Sequence, residues 1–125
     1  MKRTEIPFTW KEFDRAVDKI AHDLQKLGIV SKVNTIYGIP KGGLVLAVAL
    51  CHRLNKPLVT NIPPADSLIV DEICDTGMTL KSLVNLYHNR YTATIHYVTT
   101  SSFRPNVYAC LRGKDDWIIY PWERK

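Results

Sequence analysis

Leu68-Ile69-Val70-Asp71-Glu72-Ile73-Cys74-Asp75-Thr76-Gly77-Met78-Thr79-Leu80 decides how the chain is read. An apolar run delivers two adjacent carboxylates, a third carboxylate follows, and a Thr-Gly-x-Thr turn opens the next segment. The pattern predicts a strand over 67–71, a loop over 72–78 and a helix over 79–89. Its chemistry suits a sugar phosphate. Vicinal hydroxyls match paired carboxylates, a divalent cation takes hard oxygen ligands, and a helix start with Thr hydroxyls and free N–H groups suits a phosphate. In the plainer reading these are loop carboxylates near helix-capping threonines, favourable with the helix dipole. Three carboxylates in one loop repel, however, unless a cation or donors compensate them.

Upstream, Thr9 and Glu12 fit a capping box, and Phe13, Val17, Ile20, Leu24 and Leu27 recur at helical spacing until Gly28. The spacing predicts a helix over 10–27. A strand over 34–37, a tight loop from Gly38 to Gly43 and an apolar helix over 44–54 follow. In that loop, Ile39-Pro40-Lys41-Gly42-Gly43 sets two small residues where backbone can approach an anion, beside one mobile cation. An ordinary strand-to-helix turn is the alternative. The spacing is neither GxGxxG nor GxxxxGK[ST]. Downstream, strands are expected over 93–99 and 117–120, separated by a polar connection around Arg104-Pro105. Strands alternating with helices predict an α/β fold, a mostly parallel sheet covered on both faces, in one domain spanning 1–125. Ligands of such sheets bind beyond the carboxyl ends of the strands, where both loops fall.

Composition narrows the class. Apolar residues make up 46% and charged residues 23%, as in ordinary globular domains. No apolar run is long enough to cross a bilayer and the N-terminus has no secretory pattern, so a soluble, cytoplasmic protein is expected. The three cysteines, Cys51, Cys74 and Cys110, have neither disulfide nor zinc spacing. His22, His52, His88 and His96 are scattered and read as structural. A net charge of +5 favours an anionic partner, but no nucleic-acid motif accompanies it.

The stretch Ile69 to Leu80 closely resembles the phosphoribosyl pyrophosphate signature of type I phosphoribosyltransferases. Ile39-Pro40-Lys41-Gly42-Gly43 resembles that family's pyrophosphate loop, and Asp116-Trp117-Ile118-Ile119-Tyr120-Pro121-Trp122-Glu123 is similar to the tail of bacterial xanthine-guanine enzymes. Thr9-Trp10 and Arg104-Pro105 fit the same subgroup. The resemblance implies transfer of a phosphoribosyl group to a purine of the xanthine, guanine or hypoxanthine type, with Mg2+ as cofactor and a homo-oligomer, dimer or tetramer. It assigns Asp71 and Glu72 to the ribose hydroxyls and the metal, and Asp75 to the proton on the purine ring. Thr76, Gly77, Met78 and Thr79 would wrap the 5′-phosphate. Lys41, Gly42 and Gly43 would hold the pyrophosphate, where the family often has a cis peptide. Trp117 would stack on the base and Ile118 would offer main-chain groups to its edge. Trp122 reads better as a core or interface aromatic.

Two departures from the family stand out. The long hood that usually covers the substrate is reduced to a short stretch between Pro57 and Ser67. No lysine lies between residues 82 and 113, where relatives place one that reads the 6-oxo group, so the hydroxyls of Thr99-Thr100-Ser101-Ser102 are left as candidates for the base. Such losses also fit a protein that binds phosphoribosyl pyrophosphate or a nucleotide as a regulatory module without efficient turnover.

Overall fold

The computed structural model describes residues 3–123. In chain order they form β1 (Thr4–Pro7), α1 (Trp10–Lys26), a 3-10 turn (Val30–Lys32), β2 (Thr35–Gly38), α2 (Gly42–Leu54), β3 (Leu58–Val59), β4 (Ser67–Cys74), α3 (Met78–Tyr87), β5 (Tyr91–Tyr97), β6 (Val107–Leu111) and β7 (Asp116–Ile119). Five strands make one sheet in the order β3-β2-β4-β5-β6, every pairing parallel. β1 and β7 form a separate parallel pair. The α/β architecture read from the alternation of strand and helix is the one found.

Helix α1 forms where the apolar spacing places it. Thr9 accepts from the Glu12 N–H and the Glu12 carboxylate accepts from the Thr9 N–H, which completes the capping box. Its inward stripe of Phe13, Val17, Ile20 and Leu24 joins Leu46 and Leu50 of α2 over Leu68, Val70, Ala93 and Ile95 of the sheet. The alternate face carries Ile69, packed with Leu80 of α3 and with Ile39 and Tyr97. Strand residues thus alternate between two cores, which covers the sheet on both faces.

Besides shifts of one or two residues elsewhere, the ends of β4 and α3 differ from expectation, and β1 and β6 are strands that the sequence reading did not anticipate. β4 runs on to Cys74, so Asp71 and Glu72 stand inside the strand; pairing with β5, which continues to Cys74 opposite Tyr97, outweighs the poor strand preference of the acids. α3 begins at Met78 and ends at Tyr87, because His88 turns left-handed at φ 61° and closes the helix onto Val84 O. β1 is short, mostly exposed and contains Pro7, tolerable there because the pair has open edges. β6 lies within the stretch read as a polar connection and completes the sheet beside β5.

Leu46, wholly buried between α2 and the sheet, gives a direct test of this packing. Leu46→Ala should lower unfolding free energy by about 2–5 kcal/mol, read as a shift of the denaturant midpoint at unchanged slope.

Candidate active site

All five strands of the main sheet run the same way, so their carboxyl ends share one edge, and the residues singled out from the sequence gather there. Gly38 of β2 lies opposite Val70 of β4, and Ile39 N–H donates to Val70 O at 2.9 Å. The Gly-rich loop is thereby fixed beside the acidic end of β4. A Cβ on Gly42 would fall 1.5 Å from a Glu72 carboxylate oxygen, and one on Gly43 would fall 3.3 Å from Asp71 Oδ1. Both carboxylates therefore converge on the first turn of α2, against backbone that only glycine leaves open. The Pro40–Lys41 peptide is cis. Lys41 stands exposed at the start of α2.

Asp71 is buried and donor-poor: the Glu72 N–H bonds its Oδ1 at 2.9 Å. Burial, followed by the adjoining Glu72 carboxylate, raises its pKa well above the usual range. Two crowded carboxylates of this kind form a hard-oxygen donor set. Among the described residues no group of three or more His, Cys, Asp or Glu is placed to hold a metal. A cation here would thus take one or two protein carboxylates and fill its shell from substrate and water, the arrangement Mg2+ favours.

The turn after β4 opens α3 through Gly77, at φ 87°, where an added Cβ would meet the Phe103 backbone nitrogen at 2.6 Å. Neither α2 nor α3 has the side-chain cap that closes α1; α3 has only a 3.3 Å contact from Met78 N–H to Thr76 Oγ1. Helix starts left open at one edge are suited to anions. Asp71, Asp75, Thr76, Gly77 and Thr79 line a small cleft of about 180 Å³ there.

The hydroxyls expected to be available to a base are otherwise engaged, which corrects that expectation for Ser101 and Ser102. The single Ser101 Oγ proton lies within reach of the carbonyls of Val98 (2.6 Å), Cys74 (3.0 Å) and Asp75, and Ser102 Oγ donates to Thr76 O at 2.9 Å. These serines brace the Asp75–Gly77 turn. Cys74 is buried and its thiol pKa is raised chiefly by that burial, as expected of an unreactive thiol.

Next to the phosphate-like turn lies a second cleft, of about 200 Å³, lined by Glu72, Asp75, Arg112, Trp117, Ile118 and Tyr120 among others. Trp117 is half-exposed, with the Arg3 guanidinium 4.1 Å from its ring centroid. The carbonyls of Asp115 and Ile119 accept from β1, so by alternation the main-chain groups of Ile118 turn toward the other edge of β7. Tyr120 Oη donates to Glu72 O at 3.1 Å and is joined to His96 Nδ1 at 2.8 Å, which makes Nδ1 the protonated nitrogen. Trp122 stacks on Tyr120 at 4.9 Å and packs against Phe13, in keeping with its reading as a core aromatic. Arg112, not singled out from the sequence, reaches Asp75 Oδ1 through Nη2 at 3.1 Å with a side chain only 6% exposed. The absence of lysine between 82 and 113 was the available signal, since it leaves Arg90, Arg104 and Arg112 as the strong bases of that stretch.

Burial, helped by the Arg112 charge, lowers the His96 pKa to about 4. The unfolded chain therefore takes up this proton first, and the His96 contribution to stability falls as pH drops from about 6.5 toward about 4, opposite in sign to that of Asp71 with its raised pKa. Between pH 7 and pH 4.5 the parent should lose about 3 kcal/mol at most relative to His96→Gln, measured as the difference between their denaturant midpoint shifts.

No family profile matches the chain. The xanthine-guanine phosphoribosyltransferase of Nitratidesulfovibrio vulgaris is 22% identical, over 97% of this chain and 86% of that protein. A purine phosphoribosyltransferase from Pyrococcus horikoshii superposes with a TM-score of 0.79 at 29% identity, covering 97% of this chain and 95% of its own. The xanthine-guanine-hypoxanthine phosphoribosyltransferase of Helicobacter pylori shares the fold, with a TM-score of 0.82 at 16% identity over 95% of this chain and 93% of its own. In fold and in near full-length alignment, the chain is similar to type I phosphoribosyltransferases of the purine kind.

Proposed function

We propose that the chain transfers the 5-phosphoribosyl group from phosphoribosyl pyrophosphate to a purine of the xanthine, guanine or hypoxanthine type and releases pyrophosphate. The observation that carries this reading is the placement of the Glu72 carboxylate against Gly42, which joins the Gly-rich loop and the acidic strand in one site. Its relatives, purine and xanthine-guanine phosphoribosyltransferases by name, support the same reaction class.

In this reading the purine nitrogen attacks C1 of the ribose as the bond to pyrophosphate breaks, and positive charge develops on the ring. Lys41 and the N–H groups of Gly42 and Gly43 neutralise the leaving pyrophosphate, while the open start of α3, from Thr76 to Thr79, takes the 5′-phosphate. Asp71 and Glu72 accept from the ribose hydroxyls and would hold Mg2+, which when bound supplies charge neutralisation to the phosphates. Asp75 accepts the proton that leaves the purine ring. Trp117 stacks on the base and the outward main chain of Ile118 meets its edge. One observation favours a second reading, binding without turnover: residues 60–66 are all that joins β3 to β4, in place of a hood that would exclude water.

Pyrophosphate release with Mg2+, assayed across guanine, xanthine, hypoxanthine and adenine, separates the two. Base-dependent release supports the transferase; tight binding of phosphoribosyl pyrophosphate without release for any base assigns a sensor. Asp75→Asn should keep that binding and lower turnover roughly 10²-fold or more, and unchanged turnover would remove Asp75 from proton transfer. Glu72→Gln should weaken binding of phosphoribosyl pyrophosphate more in Mg2+ than without it, as isothermal calorimetry would read. Equal affinity with and without Mg2+ in the parent protein would sink the metal assignment.

A further inference from the structure

Arg112 is the first residue past β6, and its N–H still donates to Tyr97 O at 3.0 Å, so the strand pairing holds its backbone at the carboxyl edge of the sheet. From there the side chain enters the cleft between Asp75 and Trp117. Among the described residues lining that cleft it is the only cation. A guanidinium carries five N–H donors. Among the described residues this one bonds a single acceptor, Asp75 Oδ1, while its Nε is sealed from solvent without a partner. A cation so buried and so incompletely bonded costs stability in the free protein, and an acceptor that arrives with a ligand would offset that cost.

Asp75 and Arg112 present an acceptor and a donor side by side, 3.1 Å apart. The complementary ligand edge carries a ring N–H next to a carbonyl oxygen. A free 6-oxopurine has that edge when N7 carries the ring proton, beside the oxygen on C6; in the N9-linked nucleotide N7 has lost that proton, and the C6 oxygen remains an acceptor of the kind arginine engages on guanine. Adenine would set an amino donor against a guanidinium that can only donate. The serines nearby cannot substitute, because their hydroxyls donate to the carbonyls of the Asp75–Gly77 turn.

We propose that Arg112 reads the 6-oxo group of the purine, in place of the lysine missing between residues 82 and 113, and so sets the preference for 6-oxopurines over adenine. This assignment rests on the transferase reading of the site, with Asp75 facing the ring nitrogen.

Equilibrium binding of nucleotides tests it without requiring turnover. The parent protein should bind inosine 5′-monophosphate at least about ten-fold more tightly than adenosine 5′-monophosphate, and purine riboside 5′-monophosphate, which has no group at C6, should bind as weakly as the adenosine compound. Arg112→Met should lose about ten-fold or more on the inosine nucleotide, with the adenosine nucleotide and phosphoribosyl pyrophosphate held within about two-fold; Arg112→Lys should recover part of the loss. Equal affinities for the three nucleotides in the parent protein would overturn the assignment and leave the transferase reading standing. So would an inosine preference that survives in Arg112→Met, or losses of the same size on every ligand, which would make Arg112 a packing residue. A parent protein that binds neither phosphoribosyl pyrophosphate nor any of the nucleotides would overturn the transferase reading itself, and this assignment with it.

Discussion

Pairing between β2 and β4, with Gly38 opposite Val70, fixes where every other part of the site can stand. It sets the first turn of α2 against the end of the acidic strand closely enough that Gly42 and Glu72 compete for the same space. Strand side chains alternate, so a slip of one residue would turn Asp71 and Val70 to the wrong faces and withdraw the carboxylates from the Gly-rich loop. The register is held by burial on both sides, Leu68 and Val70 in one core and Ile69 in the other. A hydrophobic pattern thus positions a polar site, at an edge where the same strands leave their ends open.

That edge is made of groups ill suited to folding alone. Asp71 is a buried acid beside another acid, Arg112 a buried base with most of its donors unused, and two helices begin without side-chain caps. Each departs from what stability alone would select, and each departs in a direction that a phosphorylated sugar and a base edge would correct. α1, whose first turn packs against Trp122, has the complete cap that the other two helices lack. The contrast separates the part of the fold shaped by stability from the part shaped by binding.

Much of this was legible in the sequence because the decisive residues are local. The run from Ile69 to Leu80 carries its strand, its acids and its phosphate-like turn within one stretch, and Thr9 with Glu12 declares a helix start by side-chain chemistry alone. What stayed hidden depends on residues far apart in the chain. β1 is four residues long and becomes a strand by pairing with β7, more than a hundred positions away. Strand β4 outlasts its apolar pattern because β5 pairs with it to the end. Ser101 and Ser102 look free in sequence, and only the folded turn shows which carbonyls they serve. Arg112 is silent for the same reason, since its meaning lies in Asp75 and Trp117, which reach the cleft from other elements.

The pairing of β1 with β7 also orders the site in time. By the point at which residue 80 has emerged during synthesis, β2, α2, β4 and the start of α3 are all present, so the Gly-rich loop and the acidic turn can already meet. The wall that carries Arg112, Trp117 and Tyr120 needs β6 and β7, and β7 must then find a partner strand synthesised more than a hundred residues earlier. A nascent chain would therefore acquire its anion-facing half well before the aromatic half that closes it, and β1 must stay unpaired until β7 arrives.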